Sequence, residues 1–185
     1  MMILNDIFYY INEYALTAFF IAFATGILSY VVNVRKNKEN FSKSDYAKHI
    51  IMLMLSMGYA YMVVAITFIS RESDTIRYVN LKLFSSIYAN RTIVKYMLEN
   101  ILLFIPYGII YGIEHGEYRS FNISFIMKRA ILTSIVIELC QYITARGRTE
   151  IDDIVTNTIG AIIGWECIRL IAYIVKRKNE YKVKC

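Results

Sequence analysis

Charged and amide side chains occur between residues 134 and 164, where the flanking sequence is apolar enough to cross a lipid bilayer. They are Glu138, Gln141, Arg146, Arg148, Asp152, Asp153 and Asn157. A charged side chain at the centre of a membrane helix costs about 2.5 to 3.5 kcal/mol on insertion scales, so a carboxyl group there indicates a function. These residue types suit recognition of an anion. Arg148 or Arg146 would pair with the anion, and the side-chain amides would orient it. The same residue types also suit acid–base catalysis by Glu138 and Asp153.

Helical spacing arranges these side chains in stripes. Ser134, Glu138 and Gln141 recur at intervals of four and three residues, which places them on one face of a helix. A second stripe consists of Asp153, Asn157, Gly160 and Gly164. A third helix offers Asn100, with Gly108 and Gly112 alongside. Glycines four residues apart let neighbouring helices approach closely. We therefore expect three helices to pack together, with these polar residues facing one another: Asn100, Glu138, Gln141 and Asn157.

The composition is that of a membrane protein. The 185-residue chain is 57% hydrophobic with a single proline, and its apolar residues form long blocks. A hydrocarbon core about 30 Å thick needs about 20 apolar residues per helix. We predict an all-α bundle of about five transmembrane helices, with an interfacial or re-entrant segment between the second and third. The predicted spans are about 14–34, 50–70, 93–113, 130–145 and 154–175.

The positive charge indicates membrane orientation, not nucleic-acid binding. The net charge is +6, but the Lys and Arg residues cluster at the ends of apolar segments, as topology signals do. With the N-terminus outside and the C-terminus in the cytoplasm, fourteen of the 21 Lys and Arg residues lie on the inner side. This topology brings the polar stripes to the outer half of the membrane. We expect no nucleic-acid partner.

Several of the charged residues also have ordinary structural interpretations. Acidic residues in the first turn of a helix suit its dipole without any chemistry, and this applies to Glu150, Asp152 and Asp153. Thr149 followed by Asp152 resembles a loose capping box, and Arg146 can simply hold the membrane interface. Glu138 differs, because a carboxyl group well inside a span needs a partner or must be protonated.

Specific enzyme motifs do not occur in the sequence, which has no GxSxG, HExxH or glycine-rich phosphate loop. Two enzyme hypotheses stay open. One is the acid–base pair already described. The other is a divalent metal held by Glu138, Asp152 and Asp153 against a phosphate bound by Arg148. Neither spacing is specific, so no metal or cofactor is assigned.

Three blocks mark the second half of the chain: ENILLFIPYG at 99–108, SIVIELCQ at 134–141 and GRTEIDDIVTNTIGAIIG at 147–164. In content and order they resemble the VanZ-like family, named after a teicoplanin-resistance protein. By position, the family's recurrent polar residues fall on Asn80, Asn100, Glu138, Gln141, Arg148, Asp152, Asp153 and Asn157. The stretch from Arg148 to the acidic residues is one residue shorter than usual in the family. Either Arg146 or Arg148 therefore fills the family's arginine role.

The resemblance implies an integral membrane protein of the bacterial cell envelope, and some members lower susceptibility to lipoglycopeptide antibiotics. It supplies no established reaction. The resemblance covers about residues 77–164. Together with the predicted spans and the basic C-terminal run, it divides the chain into an N-terminal transmembrane pair (1–76), a VanZ-like membrane domain (77–175) and a basic cytoplasmic tail (176–185).

Our leading hypothesis is an outward-facing polar pocket that binds the anionic head group of a membrane lipid or lipid-linked envelope intermediate. The ligand contacts would come from Asn100, Gln141, Arg146, Arg148, Asp152 and Asn157. The alternatives are an intramembrane enzyme acting on the same head group, a small proton-linked transporter or flippase, and a non-catalytic envelope interaction protein. Its protein partners are not predicted.

Overall fold

Helices dominate the computed structural model of the chain, which describes residues 2–36, 43–83, 91–115 and 122–184. The five long helices of this part are α1 (Met2–Lys36), α2 (Lys43–Val64), α3 (Arg91–His115), α4 (Ile123–Thr144) and α5 (Ile151–Lys184). A π-helix, Ala65–Ile69, continues α2. Two very short strands, β1 (Val79–Asn80) and β2 (Thr149–Glu150), precede α3 and α5. The predicted all-α bundle is confirmed.

Four of the described helical stretches are long and apolar enough to cross a membrane: Ile3–Val32, Ser44–Ile69, Val94–His115 and Ile151–Lys178. They correspond to the predicted spans one, two, three and five. The remaining predicted span is α4, whose 22 residues extend about 33 Å at 1.5 Å per residue. It has sufficient length, but it carries Lys128, Arg129 and Glu138. Charge, not length, sets α4 apart from the other four.

The start of α4 shows why helix ends differ from the predicted span ends. The span was predicted to begin at Ala130, where the apolar run starts, but the helix begins at Ile123. Asn122 caps it, because its side-chain Oδ1 accepts the backbone N–H of Ser124 at 3.0 Å. The cap determines where the helix begins, independently of the bilayer thickness. The helix therefore starts before its apolar segment.

The chain divides into two compact units, Met1–Arg71 and Glu72–Cys185. In the first unit α1 packs against α2, and the Tyr46 hydroxyl of α2 donates to the carbonyl of Ser29 at 3.3 Å. Gly58 of α2 has ordinary van der Waals space toward α1. The domain boundaries predicted from the sequence stay a prediction.

In the second unit, glycines bring α3 and α5 into backbone contact. A Cβ atom added at Gly160 would collide with the carbonyl oxygen of Ile101, and one at Gly164 with that of Ile105. Gly108 on α3 is closed in by α5 in the same way. The contacts advance in the same direction along both helices, so the two helices run parallel. The prediction that these glycines permit close helix packing is confirmed.

The connecting segments before α3 and α5 meet at one end of this unit. The strands β1 and β2 pair in parallel, with Val79 opposite Thr149 and Asn80 opposite Glu150. A further bridge joins Ser73 to Arg146. The start of α5 and the end of α4 are thus held beside residues 73–80. Part of the predicted interfacial segment, residues 84–90, lies outside the described residues, and its membrane location stays a prediction.

Candidate functional site

A polar face of α4 is buried against α5. The buried polar side chains of the two helices include Ser134, Glu138, Gln141, Asp152, Thr156 and Asn157, and none of these is more than 4% exposed. The α4 members lie on a single face, as the four-and-three spacing predicts. Buried polar groups need hydrogen-bond partners inside the protein, and several of these partners lie on the facing helix or in the loop between α4 and α5.

One hydrogen bond joins the two helices directly. The Asn157 Nδ2 donates to the Ser134 Oγ at 2.8 Å. On the loop side of this bond, the Glu138 Oε2 accepts the backbone N–H of Glu150 at 2.9 Å. Residue numbers rise along α4 as they fall along α5, so the helices are antiparallel. Asp153, one turn before Asn157, therefore lies at the level of Glu138, one turn after Ser134.

Asp152 is almost completely buried, whereas an ordinary capping residue at a helix start is exposed. Its backbone carbonyl accepts the Thr156 hydroxyl at 2.9 Å, and the carbonyl of Asp153 accepts the same hydroxyl at 3.2 Å. The Thr149 hydroxyl, which the capping-box interpretation would direct toward the helix, donates instead to the carbonyl of Glu138 at 3.4 Å. Thr156 was not among the predicted residues, although it follows Asp152 by one helical turn.

The loop above this face begins with a strained residue. Ala145 ends α4 with a φ of 52°, a left-handed conformation that favours glycine. The backbone N–H of Arg146 donates to the carbonyl of Gln141 at 3.1 Å, and that of Ala145 to Tyr142 at 3.4 Å. This is the hydrogen-bond pattern of a Schellman motif. It turns the chain sharply, so that Arg146 reaches its bridge with Ser73.

Arg148 lies at the surface next to an aromatic ring. Its side chain is 62% exposed, and its guanidinium carbon lies 4.2 Å from the ring centroid of Tyr78, within cation–π range. Its Nε lies 4.0 Å from the Glu150 Oε1. Arg146 is half-buried. The two candidate arginines therefore differ in environment, and Arg148 is the more exposed of the two.

Arg77 contributes to this loop region, although the sequence did not single it out. Its Nε donates to the carbonyl of Tyr142 in the last turn of α4 at 3.1 Å, and its guanidinium lies 5.7 Å from the Tyr142 ring centroid. A cation is favourable at a helix C-terminus. Arg77 and Tyr78 bind partners that lie far away in sequence, so no local pattern could have identified them.

On α3 the predicted residue Asn100 is half-buried and directly precedes Ile101, which packs against Gly160. Its predicted approach to Glu138, Gln141 and Asn157 stays a prediction. Two other contacts join α3 to α4: the Tyr107 hydroxyl lies 3.1 Å from the Thr133 Oγ1, and the Arg129 guanidinium lies 5.3 Å from the Tyr111 ring centroid. Thr133 and its neighbour Ser134 thus bond to α3 and α5 respectively.

The metal hypothesis finds no geometric support in the described part of the chain. There, no group of three or more His, Cys, Asp or Glu side chains lies close enough to hold a metal ion. Glu138 and Asp152 are buried and Asp153 is half-buried, but the three do not form such a group. The acid–base hypothesis for Glu138 and Asp153 stays a prediction.

Fold and site define a multi-pass, all-α membrane protein with a buried polar face between two antiparallel helices. The sequence profile of the VanZ/LLP1 family matches residues 48–174, and the chain belongs to this family. Protein VanZ of Enterococcus faecium is 33% identical over 89 residues, which is 47% of this chain and 50% of that protein. The chain thus spans about half the length of this curated relative. No solved structure matches.

Proposed function

We propose that this chain is a VanZ-like envelope protein that binds the anionic head group of a membrane lipid or lipid-linked intermediate where α4 meets α5. The observation that carries the proposal is the exposed guanidinium of Arg148, which lies over the Tyr78 ring at the loop above the buried polar face. A cation–π contact leaves the N–H groups of a guanidinium available, and these groups suit a phosphate or carboxylate.

The polar residues of α4 and α5 support the same function. Gln141 and Asn157 are buried amides, which orient a ligand through directed hydrogen bonds. Glu138 holds the loop through the N–H of Glu150. With the N-terminus outside, this end of the bundle faces the outer surface, where envelope intermediates are displayed. Altered display of such a ligand would change susceptibility to teicoplanin, the phenotype suggested by the family relationship.

Mass spectrometry of the lipids that copurify with the protein tests the proposal. We expect one head-group class to be retained by the wild type and lost from Arg148→Ala. Arg169→Ala is the matched control, because Arg169 is also an exposed arginine of the second unit but pairs with Glu166 at 3.0 Å on α5. Identical lipid profiles for wild type and Arg148→Ala would contradict the proposal. In cells, Arg148→Ala should abolish any teicoplanin resistance without lowering the amount of protein in the membrane.

A further inference from the structure

The side-chain amide of Asn157 has an unused acceptor. Its Oδ1 is buried, and it accepts no hydrogen bond from the described residues. The other end of the amide is held in place, since Nδ2 donates to the Ser134 Oγ at 2.8 Å. A buried carbonyl oxygen without a donor costs free energy, so this atom is suited to a ligand that supplies an N–H or O–H group.

Charge around Asn157 selects the kind of donor. Helical side chains lean toward the N-terminus of their helix, so Asn157 leans toward the level of Asp153 and Glu138. Each of these residues carries a carboxyl group one helical turn from the Ser134–Asn157 bond. A positively charged donor is favoured over a neutral one beside carboxylates.

We infer that the head group bound at this site carries a primary ammonium group, which donates to the Asn157 Oδ1 beside the carboxylates of Glu138 and Asp153. This inference rests on the proposed function and narrows it: the ligand is zwitterionic, with its anion at Arg148 and its amine between α4 and α5. Asn157 lies six residues into α5, about 9 Å along the axis at 1.5 Å per residue. The amine therefore lies deeper than the anion.

Three phospholipids with identical acyl chains and different head groups test the inference. Ethanolamine supplies a cationic N–H donor, choline supplies a cation without an N–H, and glycerol supplies neither an amine nor a positive charge. Binding to the purified, delipidated full chain is measured by native mass spectrometry. We expect the ethanolamine lipid to bind about tenfold more tightly than the other two, since a hydrogen bond to a charged group has about this effect. Soluble phosphoethanolamine should compete with it.

The variant Asn157→Leu should lower binding of the ethanolamine lipid to the level of the glycerol lipid. The matched control is Thr133→Val, which removes an interhelical hydrogen bond of the neighbouring residue, to Tyr107, and should keep the preference. Asn157→Asp retains an acceptor, so this variant should also keep the preference for the ethanolamine lipid. It is the variant to use if Asn157→Leu fails to fold.

Two outcomes overturn the inference. Equal binding of all three lipids by the wild type would exclude a role for the amine, but it would be compatible with anion binding at Arg148. Equal binding of the choline and ethanolamine lipids would exclude a hydrogen bond from the ligand to Asn157. If Arg148→Ala instead binds all three lipids as the wild type does, the proposed function itself has failed. The two failures are therefore distinguishable.

Discussion

The carboxylate of Glu138 accepts the backbone N–H of Glu150 at 2.9 Å, so a side chain in the body of α4 fixes the residue that precedes α5. Without this acceptor, the partly buried N–H of Glu150 loses its side-chain partner. We expect Glu138→Ala to lower the free energy of unfolding by about 1–3 kcal/mol, the cost of leaving a buried hydrogen-bonding group unsatisfied. Glu138→Gln keeps an acceptor oxygen and should lose much less.

Hydrogen exchange measures this effect at the loop itself. The amides of residues 145–150 should exchange faster in Glu138→Ala and at nearly the wild-type rate in Glu138→Gln. Glu166→Ala is the control, because Glu166 belongs to an exposed ion pair on α5 that contributes at most about 1 kcal/mol. Unchanged exchange in Glu138→Ala would show that the loop is held by other contacts.

The glycine contacts between α3 and α5 predict a sharp response to one added methyl group. In Gly160→Ala the new Cβ would collide with the carbonyl oxygen of Ile101, a backbone atom that cannot move aside. We expect a loss of about 1–3 kcal/mol, as for other overpacked interiors, measured by thermal unfolding in detergent. Gly58→Ala is the matched control, since its Cβ would meet Ala22 at 3.4 Å. Equal stability of the two variants would contradict the backbone contact.

The left-handed Ala145 predicts a stabilising substitution. A residue with a Cβ pays about 1–2 kcal/mol in this conformation, and glycine does not. Ala145→Gly should therefore raise the free energy of unfolding by about 1 kcal/mol, while Ala145→Val should lower it. The midpoint of thermal unfolding reports both changes. A lower midpoint for the glycine variant would mean that α4 does not end in a left-handed residue.

The parallel register of β1 and β2 predicts a specific cross-link. Val79 and Thr149 are Cα partners, and neighbouring strands lie about 4.8 Å apart, which is within disulfide range. In a background without native cysteines, Val79→Cys with Thr149→Cys should oxidise rapidly. Leu81→Cys with Thr149→Cys, two residues out of register, should oxidise slowly. Gel mobility before and after reduction distinguishes the two pairs, and the reverse order would exclude this register.

The proposed orientation predicts which side of the membrane each end faces. In the same cysteine-free background, Arg148→Cys should react with a membrane-impermeant maleimide in intact cells, because residue 148 is exposed and would face outward. Lys178→Cys, also at an exposed position, should react only after the cells are permeabilised. Labelling of residue 178 but not of residue 148 in intact cells would show that the orientation is the reverse of the proposed one.

Local periodicity was sufficient to predict much of this molecule. Ser134, Glu138 and Gln141 lie on one buried face because an α-helix repeats every 3.6 residues, and long apolar runs identify helices that can cross a membrane. The close approach of Gly160 and Gly164 to α3 follows in the same way, since small residues one turn apart leave a groove.

Only the tertiary structure decided which loop residues complete the site. The Arg148 guanidinium lies over the Tyr78 ring. Arg77 binds the end of α4 at Tyr142, a contact between residues 65 positions apart. Two-residue strands have no readable alternation, so their pairing was equally invisible in the sequence. The burial of Asp152, for which the sequence allowed an ordinary capping role, also depends on where α4 packs. Helical periodicity is a local property of the backbone, whereas these contacts depend on how separate segments meet in space.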